Sequence, residues 1–75
     1  MLVKKNMPYK LRVKQVAEHL GYNRSKLSRK SDVEIKTIRR LWNDEDYKPS
    51  MLTLERIADA LGVQVADLIE YVPDN

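Results

Sequence analysis

From position 13 onward, apolar residues recur with a period near 3.6, broken by short polar stretches. Val13, Val16, Ala17 and Leu20 sit at i, i+3, i+4 and i+7, one apolar stripe of a helix, and Gly21 behind them suits a left-handed cap. This spacing predicts a first helix from about Arg12 to Leu20. Asn23 is a good N-cap, and Arg24 to Lys30 continue as a short basic helix with Leu27 as its inward anchor. Ser31-Asp32-Val33 breaks it, Asp32 being tolerant of left-handed backbone. A third helix is expected from about Ile35 to Asn43, with Ile38, Leu41 and Trp42 inward. The polar stretch Asp44 to Pro49 reads as a loop. Ser50 or Thr53 then caps a fourth helix to about Leu61, with Leu54, Ile57, Ala58 and Leu61 inward and Gly62 ending it. Val65, Leu68 and Ile69 mark a short fifth helix before Pro73. Ahead of these, Pro8 bars helix and Tyr9 to Val13 alternate with period two, as a strand does. The expected fold is all-α, a compact five-helix domain over residues 11–75 with a short extended N-terminal arm over residues 1–10.

Composition narrows the chemistry. A chain of 75 residues is one domain at most, with a thin core. Hydrophobic residues at 43% and charged residues at 33% give a globular balance. The absence of cysteine excludes disulfides and thiolate metal sites, and the single His19 leaves no cluster for an imidazole site or a triad. No nucleophile stands beside a base, so neither an enzyme nor a bound cofactor or metal is expected. No apolar run is long enough to span a membrane. The opening Met1-Leu2-Val3-Lys4-Lys5 has no apolar stretch behind its basic pair, so a cytoplasmic location is expected.

Charge changes the picture most. Residues 1–42 hold twelve Lys or Arg against three acids, a net +9, and residues 43–75 hold two against eight, a net −6; together they make the chain's +3. Such asymmetry points a basic face at a polyanion and an acidic face elsewhere. Two short helices joined by a tight turn near Asp32 form a helix-turn-helix candidate. A nine-residue third helix is about 13 Å long, and the major groove of B-DNA is about 12 Å wide. Its outward face carries Lys36, Thr37, Arg40 and Asn43, at i, i+1, i+4 and i+7, with Arg39 adjacent. Arg and Lys suit guanine edges, and Thr suits a thymine methyl or a phosphate.

Leu27-Ser28-Arg29-Lys30-Ser31-Asp32-Val33, then Thr37-Ile38-Arg39-Arg40-Leu41-Trp42-Asn43, then Leu54-Glu55-Arg56-Ile57-Ala58-Asp59-Ala60-Leu61-Gly62-Val63 resemble the lambda-repressor/Cro (Xre-type) helix-turn-helix family. The resemblance covers about Val13 to Tyr71. It implies sequence-specific DNA binding by a small transcriptional regulator, with the second helix across the backbone and the third in the major groove. Carried over by position, the base-reading slots fall on Ile35, Lys36, Thr37 and Arg40, and the phosphate slots on Asn23, Arg24 and Asn43. Asp32 stands where the family often has Gly, Glu34 where it often has Ser or Thr, and Ile35 replaces a polar residue, which suggests contact with a thymine methyl. Trp42 and Ala17 stand where related repressors often pair Glu with Arg, so the indole is expected to fill space beside Ala17, Val13 and Leu20. The implied partner is double-stranded DNA, bound as a homodimer through part of residues 63–72 or the arm. The alternative is an antitoxin-like module of the same fold that binds a protein partner through its acidic C-terminal half.

Overall fold

The computed structural model describes residues 9–72. Strand β1 (Tyr9–Leu11) leads into helices α1 (Val13–His19), α2 (Arg24–Ser31), α3 (Ile35–Asn43) and α4 (Met51–Leu61). A single 3₁₀ turn (Val65–Leu68) follows, and strand β2 (Ile69–Tyr71) returns antiparallel to β1 with Tyr9 opposite Tyr71 and Leu11 opposite Ile69. The last two residues of the expected arm thus lie in or beside the sheet, and the rest of it lies outside the described residues.

The helix boundaries follow from local chemistry. The Asn23 side chain accepts from the Lys26 N–H at 2.8 Å and the Ser50 hydroxyl accepts from the Thr53 N–H at 3.1 Å, each satisfying a donor that the first turn leaves orphaned. Ser50, rather than Thr53, is therefore the cap of α4. Gly21 and Gly62 follow α1 and α4 at φ 83° and 73°, a region that costs glycine nothing. The α2–α3 turn has no glycine. Asp32 holds φ 61°, and three hydrogen bonds fix it: Asp32 N–H to Ser28 C=O at 2.9 Å, Ser28 hydroxyl to Val33 C=O at 2.6 Å, and Arg56 guanidinium to Asp32 C=O at 3.5 Å.

α2 packs against both α3 and α4, and α1 against α3 and the 3₁₀ turn. Val13, Leu27, Ile38, Leu41, Ile57 and Leu68 are the largest fully buried side chains, so every helix contributes to one core. Buried Ser31 donates to the Leu27 carbonyl at 2.6 Å, which leaves its hydroxyl satisfied.

Three expectations need correction. The molecule is not all-α, and among the described residues there is no fifth α-helix. Apolar residues at 65, 68 and 69 fit a 3₁₀ turn and the start of a strand as well as a helix, and Pro73 favours extended backbone before it. Pairing with β1 then supplies the hydrogen bonds that a fifth helix would have made internally. Leu20 is not inward but 43% exposed, because α1 ends at His19 and Leu20 leaves helical geometry. Trp42 is half-buried rather than enclosed. It packs on the core and borders a groove with Leu11, Lys14, Gln15, Asn43 and Glu45, whereas Leu20 lines a different groove beside Val16 and Val63.

Candidate nucleic-acid interface

α3 is held by its inner face. Ile38 and Leu41 are buried, Ile35, Thr37 and Trp42 are half-buried, and Lys36, Arg39, Arg40 and Asn43 are exposed. Lys36, Thr37 and Arg40 line one open groove of about 270 Å³, together with Glu34 and Tyr47. Three of the expected base-reading residues therefore meet at one place. Asn43 borders the separate groove beside Trp42 and Lys14. Ile35 lies at the first turn of α3, partly packed on the core.

Arg24 is the first residue of α2 and is exposed beside its unpaired N–H groups. Neither α2 nor α3 has an acid in its first turn, although acids there would favour the helix dipole. Arg24 and Lys36 instead add positive charge to ends that already carry it. The α2 end is thereby less stable alone and more attractive to an anion, whereas at α3 the N-cap Glu34 offsets the charge of Lys36. Asn23 is exposed, but its Oδ1 is engaged by the cap, leaving its amide N–H groups as the free donors.

Among the described residues, the ion pairs are those of Lys10 with Glu45 at 3.6 Å and Asp46 at 3.4 Å, and none involves a basic residue of α2 or α3. The Asp46 carboxylate, through its hydrogen bond and its charge, and then Glu45 raise the Lys10 pKa above 10.5. Two basic side chains of the helices lie over aromatic rings instead: Lys26 over Tyr22 at 4.7 Å and Arg40 over Tyr47 at 4.5 Å. These contacts hold a cation without neutralising it. The basic side chains of α2 and α3, none of them ion-paired among the described residues, and the locked turn between the two helices give a surface that suits a polyanionic rod, with Glu34 and Asp32 as its acids.

The family model for the Cro/C1-type HTH DNA-binding domain matches residues 12–74. The chain belongs to this family. No curated protein and no solved structure matches it. The match takes in α2, the Asp32 turn and α3, two helices joined by a tight turn, while β1 lies just ahead of it and pairs with β2 to tie the ends of the described chain together. Membership assigns DNA binding to the domain as a whole. Among the described residues, no helix is long and apolar enough to cross a membrane.

Two residues of the groove were not legible as site residues. Glu34 reads in sequence only as a helix cap, yet its side chain makes no cap hydrogen bond and stands in the groove. Tyr47 reads as a packing or rim residue in a polar loop, and no periodicity signals that the loop returns it to Arg40.

Proposed function

We propose that this protein is a sequence-specific double-stranded DNA-binding regulator of transcription whose α3 enters the major groove. The observation that carries this reading is the convergence of Lys36, Thr37 and Arg40 on one open groove, on helices whose basic side chains form no ion pair among the described residues. Arg40 and Lys36 would take guanine edges, Thr37 and Ile35 a thymine methyl, and Glu34 a cytosine amino group. Arg24, Asn23, Arg39 and Asn43 would hold phosphates and set the register of α3 without reading sequence. The N-terminal end of α2 suits Arg24 to this, since a phosphate there meets the guanidinium and the helix dipole together.

A single module reads few base pairs, and helix-turn-helix proteins commonly pair on half-sites ~34 Å apart. Our reading is therefore a homodimer on DNA, its contact drawn from residues 63–72 or the N-terminal arm. The acidic C-terminal half offers a protein partner less than its charge suggests, because Glu45 and Asp46 already face Lys10. Selection of bound duplexes from a random library tests the function. Enrichment of one short motif is the expected result; recovery of unenriched sequence would mean that the groove on α3 reads no bases.

A further inference from the structure

We propose that Tyr47 is the positioning residue for Arg40, holding its guanidinium ready to read a base edge. This rests on the reading of Arg40 as a base contact. An arginine on an exposed helix face samples many rotamers, and ordering it on DNA costs rotamer entropy. A contact that orders it beforehand removes part of that cost. The Arg40 guanidinium lies 4.5 Å from the centre of the Tyr47 ring, and both line the groove with Lys36, Thr37 and Glu34.

The ring is a firm support. Tyr47 is half-buried and packed on the core. Its loop is fastened at several points: Tyr47 N–H to Asp44 C=O at 3.1 Å, Asp46 N–H to Asp44 Oδ1 at 3.0 Å, and Leu11 N–H to Glu45 C=O at 2.8 Å. Lys48 Nζ donates to the carbonyls of Tyr9 and Asp46, each at 3.0 Å, while lying 4.4 Å over the Tyr9 ring. β1 thus clamps the loop that carries Tyr47.

The chemistry of the contact matters more than its strength. A stacked guanidinium keeps all five N–H donors free in its plane for a base edge, whereas a carboxylate would occupy the same donors. The loop that carries Tyr47 also carries three acids, Asp44, Glu45 and Asp46. The Lys10 ammonium engages two of them, and Arg40 receives the ring.

The test compares a selected duplex with a random one for the intact chain, Tyr47→Phe, Tyr47→Leu, Arg40→Ala and the Arg40→Ala/Tyr47→Leu double variant. Tyr47→Phe should keep the preference. Tyr47→Leu should lower it about two- to fivefold at the base pair that Arg40→Ala also loses, with no further loss in the double variant. Unchanged or increased preference in Tyr47→Leu would overturn the proposal. So would an equal loss on both duplexes in Tyr47→Phe, which would make the hydroxyl a phosphate contact. Arg40→Ala weakening both duplexes alike would remove the base-reading role of Arg40 itself. A selective loss in Arg40→Ala with a neutral Tyr47→Leu would remove only the role of Tyr47. Nuclear magnetic resonance decides the matter even if Tyr47→Leu fails to fold. The Arg40 δ-methylene protons should be shifted upfield by the ring in the free protein and remain so on DNA, and an unshifted signal in either state would contradict the stack.

Discussion

Asp32 sits at φ 61° in the turn between α2 and α3, a backbone that costs most L residues about 1 kcal/mol or more. Its hydrogen bonds run through the backbone, so glycine would keep them and lose the strain. Asp32→Gly should raise stability by ~0.5–1 kcal/mol, and Asp32→Val should lower it by ~1–2 kcal/mol. Urea midpoints measure both, and a destabilised glycine variant would mean that the aspartate side chain itself holds the turn. Trp42 invites the opposite comparison. A fully enclosed Trp→Ala change costs ~3–5 kcal/mol, but this indole is half-buried, so ~2–3 kcal/mol is expected. The base preference of Trp42→Ala should not change, since the ring borders the Leu11 groove rather than the one with Lys36. A normal urea midpoint with altered preference would place the indole on DNA.

At the scale of elements, what was legible depended on whether the signal was local. The sequence spacing predicts Ile35 to Asn43 for the third helix, and α3 spans those residues, because one stripe and one loop define it without help from distant segments. The caps Asn23 and Gly62 and the left-handed Asp32 are legible for the same reason, while Ser50 is one of two caps that the sequence offers for α4. The end of the chain is not. Val65, Leu68 and Ile69 satisfy a helical stripe, but their state is decided by β1 at the opposite end of the chain, and no local pattern announces that pairing. The candidate site divides similarly. Lys36, Thr37 and Arg40 share a face that 3.6-residue periodicity specifies, while Tyr47 joins them only because a fastened loop turns back. Lys10 belongs to this tertiary class too. Its raised pKa means that the stabilisation from Glu45 and Asp46 is present below pH 10.5 and fades as pH rises through the raised value.

For the whole molecule, the division of charge into +9 and −6 halves sets the behaviour on DNA. Binding should weaken as salt rises, the logarithm of affinity falling with a slope near −0.9 per phosphate neutralised. Titration between ~50 and ~200 mM salt measures it, and an insensitive affinity would exclude the basic surface from the contact. Assembly is the second whole-molecule matter. Leu68 is spent on the core and Val65 is half-buried, so the apolar surface left on residues 63–72 is smaller than the sequence suggests, with Tyr71, at 62% exposure, its largest open member. A dimer drawn from this surface should be weak in free solution and form on DNA. Sedimentation on a selected duplex should give two chains per site; a strict one-to-one complex on every selected duplex would count against pairing.

The claim that α3 reads sequence is tested most directly by comparing Lys36→Ala, Arg40→Ala and Arg24→Ala for affinity on the selected duplex, on each of its single-base variants and on random duplex. Lys36 and Arg40 share the groove on α3, and Arg24 opens α2 beside the expected backbone. Lys36→Ala and Arg40→Ala should each cost ~1–3 kcal/mol on the selected duplex and relax preference at particular base pairs, while Arg24→Ala weakens every duplex alike. Equal losses on selected and random duplexes for Lys36→Ala and Arg40→Ala would contradict the assignment of base reading to α3.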